Sequence, residues 1–306
     1  MKISIITPSF NQGEFIERTI LSVLSQENDE NELEYWVIDG GSTDQTVPLL
    51  QLYQRHLTWQ SEPDRGQSHA VNKGLHLATG EIIGWLNSDD IYYPDTLKKI
   101  CSFFTEHPDV DVVYGDACFI DRYDKKIGHY STEPWNIERL KSLCFISQPT
   151  VFFRRRVILE YGLLNEELRF CMDYAFWLHL GLSGAKFAYY PHLLAATRVH
   201  QETKTSCHSV LASLEAIESV RKKIGYIPTT WFIHYASALV KESTKSHHSH
   251  RIGFIISVWA NLWKATRLHC HGYHRLFTWA VVQGTFLKEL VRRGLNLFKK
   301  KLQYFA

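Results

Sequence analysis

Three carboxylate-bearing stretches and one Arg/His pair are the residues here whose types and spacing suit chemistry. The first is Asn87-Ser88-Asp89-Asp90, which ends a short apolar run over residues 82–86. Adjacent carboxylates offer hard oxygen ligands to a divalent cation and leave coordination positions open for substrate phosphates. The second is Asp39-Gly40-Gly41-Ser42. Its glycines permit a tight turn and a close backbone approach to a ligand, while Asp39 could hydrogen-bond a base or ribose. The third is Asp173, opening a candidate helix after Met172. Arg198 and His200 sit two apart, on one face of a terminal strand, and suit a diphosphate and its cation. Each has a plainer account. Asn, Ser and Asp are ordinary turn residues, and a first-turn carboxylate complements the helix dipole. The Arg/His pair also reads as a surface charge beside a structural imidazole.

The surrounding pattern says how such residues would be gathered. Residues 2–7 alternate β-branched side chains and stop at Pro8, which predicts a first strand. Asn11 and Glu14 have capping-box spacing, and Ile16, Ile20, Val23 and Leu24 fall on one helical face. Residues 33–38 predict a second strand, with Ser42 to Asp44 capping a helix that reaches about Arg55. A short strand near 57–60, a turn at 62–66 and a helix over 67–77 lead to the apolar run 82–86. After Pro94 a helix extends to about Glu106. Residues 110–114, 117–120 and 126–130 read as separate strands, and 150–153 as a return to the sheet. A helix opens at Met172, and 187–190 and 194–199 read as two final strands. From Thr205 onward the pattern is helical. This alternation predicts an α/β fold with a Rossmann-like, mostly parallel central sheet flanked by helices. In open sheets of that kind ligands bind beyond the carboxyl ends of the strands, where both 39–42 and 87–90 fall.

Composition narrows the class. With 306 residues, 45% hydrophobic and 22% charged, the chain suits one large or two modest globular domains. Neither GxGxxG nor GxxxxGK[ST] occurs, so dinucleotide and P-loop fingerprints are absent. Six cysteines lie far apart with no CxxC pair, which favours reduced thiols over a disulfide framework or a zinc site. No secretory segment is legible, and no window reaches the roughly 18 apolar residues of a spanning helix, so a cytoplasmic protein is expected.

The net charge of +2 conceals a division. Residues 1–220 hold 19 Lys and Arg against 30 Asp and Glu, whereas residues 221–306 hold 15 against 2. In the stretch 226–306, Trp231, Trp259, Trp263 and Trp279 alternate with Arg251, Arg267, Arg292, Arg293 and Lys299-Lys300-Lys301. That mixture suits helices lying on a membrane surface, where anionic lipid adds about 1 kcal/mol per basic residue. Packing onto the body, oligomerisation and a nucleic-acid patch are the rival readings, the last the least favoured. His247, His248 and His250 lack Cys or acidic partners nearby and read as an exposed loop. The run Arg154-Arg155-Arg156 reads either as a contact for a phosphorylated lipid carrier or as a solvated charge run.

Taken in order, Thr7-Pro8-Ser9-Phe10-Asn11, residues 39–44, residues 64–68 with Asn72-Lys73-Gly74, residues 78–81 with 85–90, residues 172–174 with 176–178, and Arg198-Val199-His200 resemble family 2 glycosyltransferases of the GT-A type. The resemblance covers residues 3–206. It implies a GT-A domain over 1–225 followed by a basic helical extension over 226–306. It implies a nucleotide-sugar donor, a UDP-sugar first and GDP- or dTDP-sugars as alternatives, with Mn²⁺ or Mg²⁺. Thr7, Pro8, Ser9 and Asp39 resemble the cradle for base and ribose, and Arg65 and Asn72 the loop and helix that close over the nucleotide. Asn87, Ser88, Asp89 and Asp90 match the metal motif, with Asn87 where its first carboxylate would stand, so that Asp89 and Asp90 carry the charge. Asp173 matches the catalytic base of an inverting transfer, and Arg198 and His200 the diphosphate and metal contacts. The acceptor would be a glycan or a lipid-linked glycan, met by residues 91–172, in cell-surface polysaccharide or lipopolysaccharide assembly at the cytoplasmic face of the inner membrane. Two other classes compete: a sugar-nucleotidyltransferase, for which residues 7–11 lack a Gly-rich basic loop, and a non-catalytic nucleotide- or glycan-binding module.

Overall fold

The structure is a computed structural model that describes residues 1–27, 31–200 and 208–246. Its organising strand is β1 (Lys2–Ser9), buried along all but its first residue. β1 pairs in parallel with β2 (Glu32–Asp39) on one side and with β4 (Ile82–Trp85) on the other. β3 (Thr58–Ser61) adds a further parallel strand outside β2. Ile3, Ile5 and Ile6 are wholly buried although neighbours on a strand point to opposite faces. That requires cover on both sides, the condition under which parallel sheets occur. The amphipathic α1 (Ile16–Leu24) supplies Ile16, Ile20 and Val23. Against β1, α3 (Gln67–Leu77) packs so tightly that a Cβ on Gly74 would stand 2.4 Å from Ile6 Cγ2. α2 (Thr46–Tyr53) and α4 (Thr96–Glu106) complete the covering of this half.

The second half of the sheet is mixed. β8 (Phe152–Arg154) runs antiparallel between β4 and β6 (Val112–Ile120), and β9 (Phe187–Arg198) lies parallel to β6. β5 (Ile91–Tyr92) and β7 (Lys126–His129) pair antiparallel with β9 and β6. The order across the sheet is β3-β2-β1-β4-β8-β6-β9-β5, with β7 attached to β6. α5 (Ile137–Ser142), a 3₁₀ turn at Gln148–Thr150, α6 (Arg156–Tyr161) and α7 (Met172–Leu182) connect these strands.

Several local expectations change. Residues 110–114 and 117–120 join in one strand, as do 187–190 and 194–199. The breaks between them survive as register shifts around Gly115 and Asp116, where β9 carries extra residues opposite β6. Such bulges bend a strand without ending it. Asn11 does not cap α1. It takes a positive φ of 51°, its N–H donates to Ser42 Oγ (2.7 Å), and its Oδ1 accepts from the Thr43 N–H (2.9 Å). The loops after β1 and β2 are thereby tied together, and α1 starts later, after Phe15. β5 has only two residues, too few for any periodicity to announce. Within Arg154-Arg155-Arg156, Arg154 departs from both readings, whereas Arg156 is exposed. Arg154 is buried, pairs with Glu81 and donates to the carbonyls of Val110 and Phe104, while Arg156 pairs with Asp111.

The chain divides into two compact units, residues 1–208 and 209–306. The described part of the second comprises α8 (Ser209–Ile224) and α9 (Thr229–Ser246), and residue 225 falls in the turn between them. No described helix is long and apolar enough to cross a membrane. The Trp- and Lys-rich stretch beyond residue 246, with the three histidines at 247, 248 and 250, lies outside the described residues.

Candidate active site

The two turns singled out from the sequence lie at the carboxyl ends of the two strands that flank β1. β2 ends on Asp39 and β4 on Trp85, on either side of β1 and parallel to it. Asp39 is only 1% exposed. Its Oδ2 accepts from the N–H groups of Gly41 (3.1 Å) and Ser42 (2.8 Å) and from Ser61 Oγ (2.6 Å), while Oδ1 accepts from Ser42 Oγ (2.5 Å). The turn therefore wraps around the carboxylate, and the φ of +84° at Gly41 is what lets the backbone do so. Of the β1 terminus, Thr7 is directed inward to Tyr35 Oη (3.2 Å). Pro8 is buried beside it, and the buried Ser9 hydroxyl has no hydrogen-bond partner among the described residues.

The loop after β4 is held by an amide. Asn87 Oδ1 accepts from Trp85 Nε1 (2.9 Å) and from Gln67 Nε2 (2.7 Å), at the start of α3. Asn87 Nδ2 donates to Gln148 Oε1 (2.9 Å) and more distantly to Asp90 Oδ2 (3.3 Å). Asp90 is 2% exposed, and its Oδ1 accepts the Arg198 N–H (2.9 Å). Burial, and then the neighbouring charge of Asp89, push its carboxyl well above the usual range against these hydrogen bonds. Asp89 meets His200, whose Nε2 lies 3.1 Å from its Oδ2. Ser88 is buried within the same turn.

Arg198 lies beneath this loop. Its side chain is 0% exposed; Nε donates to the Asp89 carbonyl (2.7 Å), and Nη1 reaches the Asp121 carbonyl (2.9 Å) and the Asp124 carboxylate. In this position it braces the turn from below, and among the described residues Nη2 has no partner. Arg65 and Asn72 converge on Glu166. Arg65 Nη2 lies 2.5 Å from its Oε2, and Asn72 Nδ2 donates to its Oε1 (3.1 Å). Asn72 also clamps Leu164, accepting from its N–H (3.1 Å) and donating to its carbonyl (2.9 Å). Those bonds, with the one from Arg169 Nη1 to the Arg65 carbonyl (2.6 Å), draw residues 164–169 across the start of α3.

That segment leads into α7, whose first turn carries Asp173. Burial and then the Asp173 charge push the Cys144 thiol up to about 12, and burial, then Cys144 and Asp173, raise Tyr130. The charge of Asp173 thus reaches residues 130 and 144, and residue 144 lies a few positions before Gln148. Gln148, Glu166 and Asp124 escaped the sequence reading, and Gln67 and Trp85 entered it only within motifs, with no role assigned. Only Gln148 left a signal, as a polar residue between the apolar runs 145–146 and 151–153.

The acidic turn, the wrapped aspartate two strands away and the helix-borne carboxylate lie in a chain that matches a known family. The sequence profile described as glycosyl transferase family 2 matches residues 4–162. The chain belongs to this family. Among relatives of this glycosyltransferase, a PGL/p-HBAD biosynthesis glycosyltransferase of Mycobacterium bovis is 29% identical over 199 residues, covering 63% of this chain and 75% of its own. An uncharacterized glycosyltransferase of Rickettsia typhi is 28% identical over 232 residues, covering 71% and 70%. Among solved structures, S. aureus TarS 1-349 in complex with UDP-GlcNAc matches with TM-score 0.60 and 18% identity, over 87% of this chain and 81% of that one. The mannosyltransferase PcManGT of Pyrobaculum calidifontis, in complex with GDP-Man and Mn²⁺, matches with TM-score 0.56 and 19% identity, over 94% and 86%. The fold of the glycosyltransferase is accordingly the GT-A fold.

Adjacent carboxylates carry the hard oxygen donors that a divalent cation takes. Among the described residues no three His, Cys, Asp or Glu side chains form a closed cage. Asp89 and the buried Asp90 are adjacent carboxylates, and after burial the charge of Asp89 is what raises Asp90. Mg²⁺ and Mn²⁺ suit such a set, since substrate phosphates complete the coordination.

Proposed function

We propose that this glycosyltransferase moves a sugar from a nucleoside diphosphate to a hydroxyl acceptor with inversion at the anomeric carbon. The observation that carries the reading is the juxtaposition of the Asp39 turn and the Asp89-Asp90 turn on strands flanking β1. Asp39, Ser9 and Arg65 line the nucleotide side, and the orphaned Ser9 hydroxyl supplies an unused hydrogen bond there. Asp89 and Asp90 would hold Mn²⁺ or Mg²⁺ beside the donor diphosphate, and the cation would supply charge neutralisation for the leaving group. His200 steadies Asp89, and Arg198 braces the turn. Asp173 takes the proton of the acceptor hydroxyl as its oxygen bonds to C1. As that bond forms, the C1–O bond to phosphate breaks and its electron pair leaves with the nucleoside diphosphate from the opposite face.

The complexes of TarS with UDP-GlcNAc and of PcManGT with GDP-Man and Mn²⁺ support the donor class. We assign UDP-sugars first, then GDP- and dTDP-sugars. The acceptor is a glycan or lipid-linked glycan of a surface polysaccharide, and residues 226–306 hold the protein to the cytoplasmic face of the inner membrane. A thermal-shift screen of UDP-, GDP- and dTDP-sugars with and without Mn²⁺ identifies the donor. With that donor, Asp90→Ala and Asp173→Asn should each abolish transfer in proteins that keep the wild-type circular dichroism. Transfer retained in both variants would sink the mechanism.

A further inference from the structure

Asn87 stands where a carboxylate would lead the acidic turn, and its surroundings leave no room for one. The Trp85 indole N–H can only donate, so the Asn87 atom facing it at 2.9 Å is Oδ1. Nδ2 therefore faces Gln148 at 2.9 Å and Asp90 Oδ2 at 3.3 Å. The Gln148 atom receiving that bond must be Oε1, which sends its Nε2 to the Trp85 carbonyl, 2.6 Å away. The carbonyl and the indole belong to one residue and admit no alternative, so the Asn87 and Gln148 amides each have a single allowed orientation. Gln148 is buried on the 3₁₀ turn that precedes β8, 61 positions from Asn87.

This arrangement has two effects on Asp90. One carboxylate oxygen takes the Arg198 N–H and the other takes Asn87 Nδ2, which clamps the rotation of the group and aims its remaining lone pairs. The leading position also stays neutral, so no third negative charge joins Asp89 and Asp90. An aspartate at 87 would set a carboxylate oxygen against Gln148 Oε1 and Asp90 Oδ2. Turning Gln148 over to greet it would set Oε1 against the Trp85 carbonyl.

We propose that Gln148 is a positioning residue for cation binding: it orients the Asn87 amide, which holds Asp90 in its ligating pose and keeps the head of the acidic turn uncharged. The inference rests on the cation-and-diphosphate reading of the Asp89-Asp90 turn. It also names a link between the donor turn and the segment that runs on from Cys144, beside Asp173.

The test measures Mn²⁺ binding in the presence of UDP, GDP or dTDP by electron spin resonance of free Mn²⁺, on the full chain. Gln148→Met keeps the side-chain length without either hydrogen bond, and Gln148→Ala removes both length and bonds. Each should weaken Mn²⁺ binding in the nucleotide complex by about tenfold to a hundredfold, while nucleotide affinity without Mn²⁺ stays at the wild-type level. Asn87→Asp should weaken Mn²⁺ as well, the reverse of what an added carboxylate ligand would do. Unchanged Mn²⁺ affinity in a folded Gln148 variant, or tighter binding by Asn87→Asp, overturns the proposal alone. Absence of Mn²⁺ binding in the wild type with all three nucleotides overturns the reading of the turn itself, and this inference with it.

Discussion

His200 Nε2 lies 3.1 Å from Asp89 Oδ2, across 111 positions of sequence. The imidazole also packs against the Phe15 ring, at 4.7 Å between centroids, so its orientation is set from two sides. Removing it frees the Asp89 carboxylate without touching the fold of the sheet. His200→Ala should lower kcat/KM by about tenfold to a hundredfold and raise the Mn²⁺ concentration needed for half-maximal transfer. A Mn²⁺ titration of initial rates reads both.

Arg198 should matter as much to stability as to catalysis. Its buried guanidinium serves the Asp89 carbonyl, the Asp121 carbonyl and Asp124 at once. Arg198→Met leaves those groups without their donor and should cost about 3 kcal/mol, less whatever the half-exposed Asp124 recovers from water. Urea unfolding followed by fluorescence measures the loss. An unchanged midpoint would show that the network carries no stability.

At the far edge of the sheet, Glu34 should shape the acid limb of stability. Burial works against its charge, but the Ser4 hydroxyl, the N–H and hydroxyl of Thr79, and Lys2 outweigh it and hold the carboxyl down at about 2. A depressed acid stabilises the fold fully above its unfolded value, near 4.5, and loses that contribution as pH falls toward 2. Glu34→Gln should therefore be less stable at neutral pH and show a flatter decline between pH 4.5 and about 2. Thermal melts across that window check it, and a variant with the wild-type acid limb would exclude Glu34 as its source.

For the basic extension, removal of residues 226–306 should move the protein from pellet to supernatant in sedimentation with vesicles containing anionic lipid. Salt should weaken the binding of the full chain, because exposed charges are screened within about 10 Å at 0.1 M. Partitioning that survives the truncation would reject a surface anchor in this segment.

How far the sequence reached can be judged from Asp39 and Asn87. Asp39 was legible because a carboxylate, two glycines and a serine in a row need a turn whatever surrounds them. Its wrapping by Gly41 and Ser42 is local. Asn87 was legible only as an anomaly within the acidic motif, because its partners Gln67 and Gln148 stand 20 and 61 positions away. Asn11 was misjudged for a similar reason. Its spacing to Glu14 imitates a cap, but Ser42 and Thr43 on another loop compete for its groups and win. Arg154, read as exposed charge, is buried because the sheet brings Glu81 and two carbonyls to it.

By itself the sequence determined the strand–helix alternation of residues 1–106, the placing of two acidic turns at strand ends, and the family those motifs mark. Periodicity and turn chemistry act within a few residues, so a linear reading suffices for them. The tertiary structure alone decided that β8 turns antiparallel between β4 and β6, that Arg198 lies under the acidic turn, and that Gln148 orients Asn87. Each depends on hydrogen bonds between groups far apart in the chain. Such groups find each other only once burial of the sheet excludes water as a competing partner.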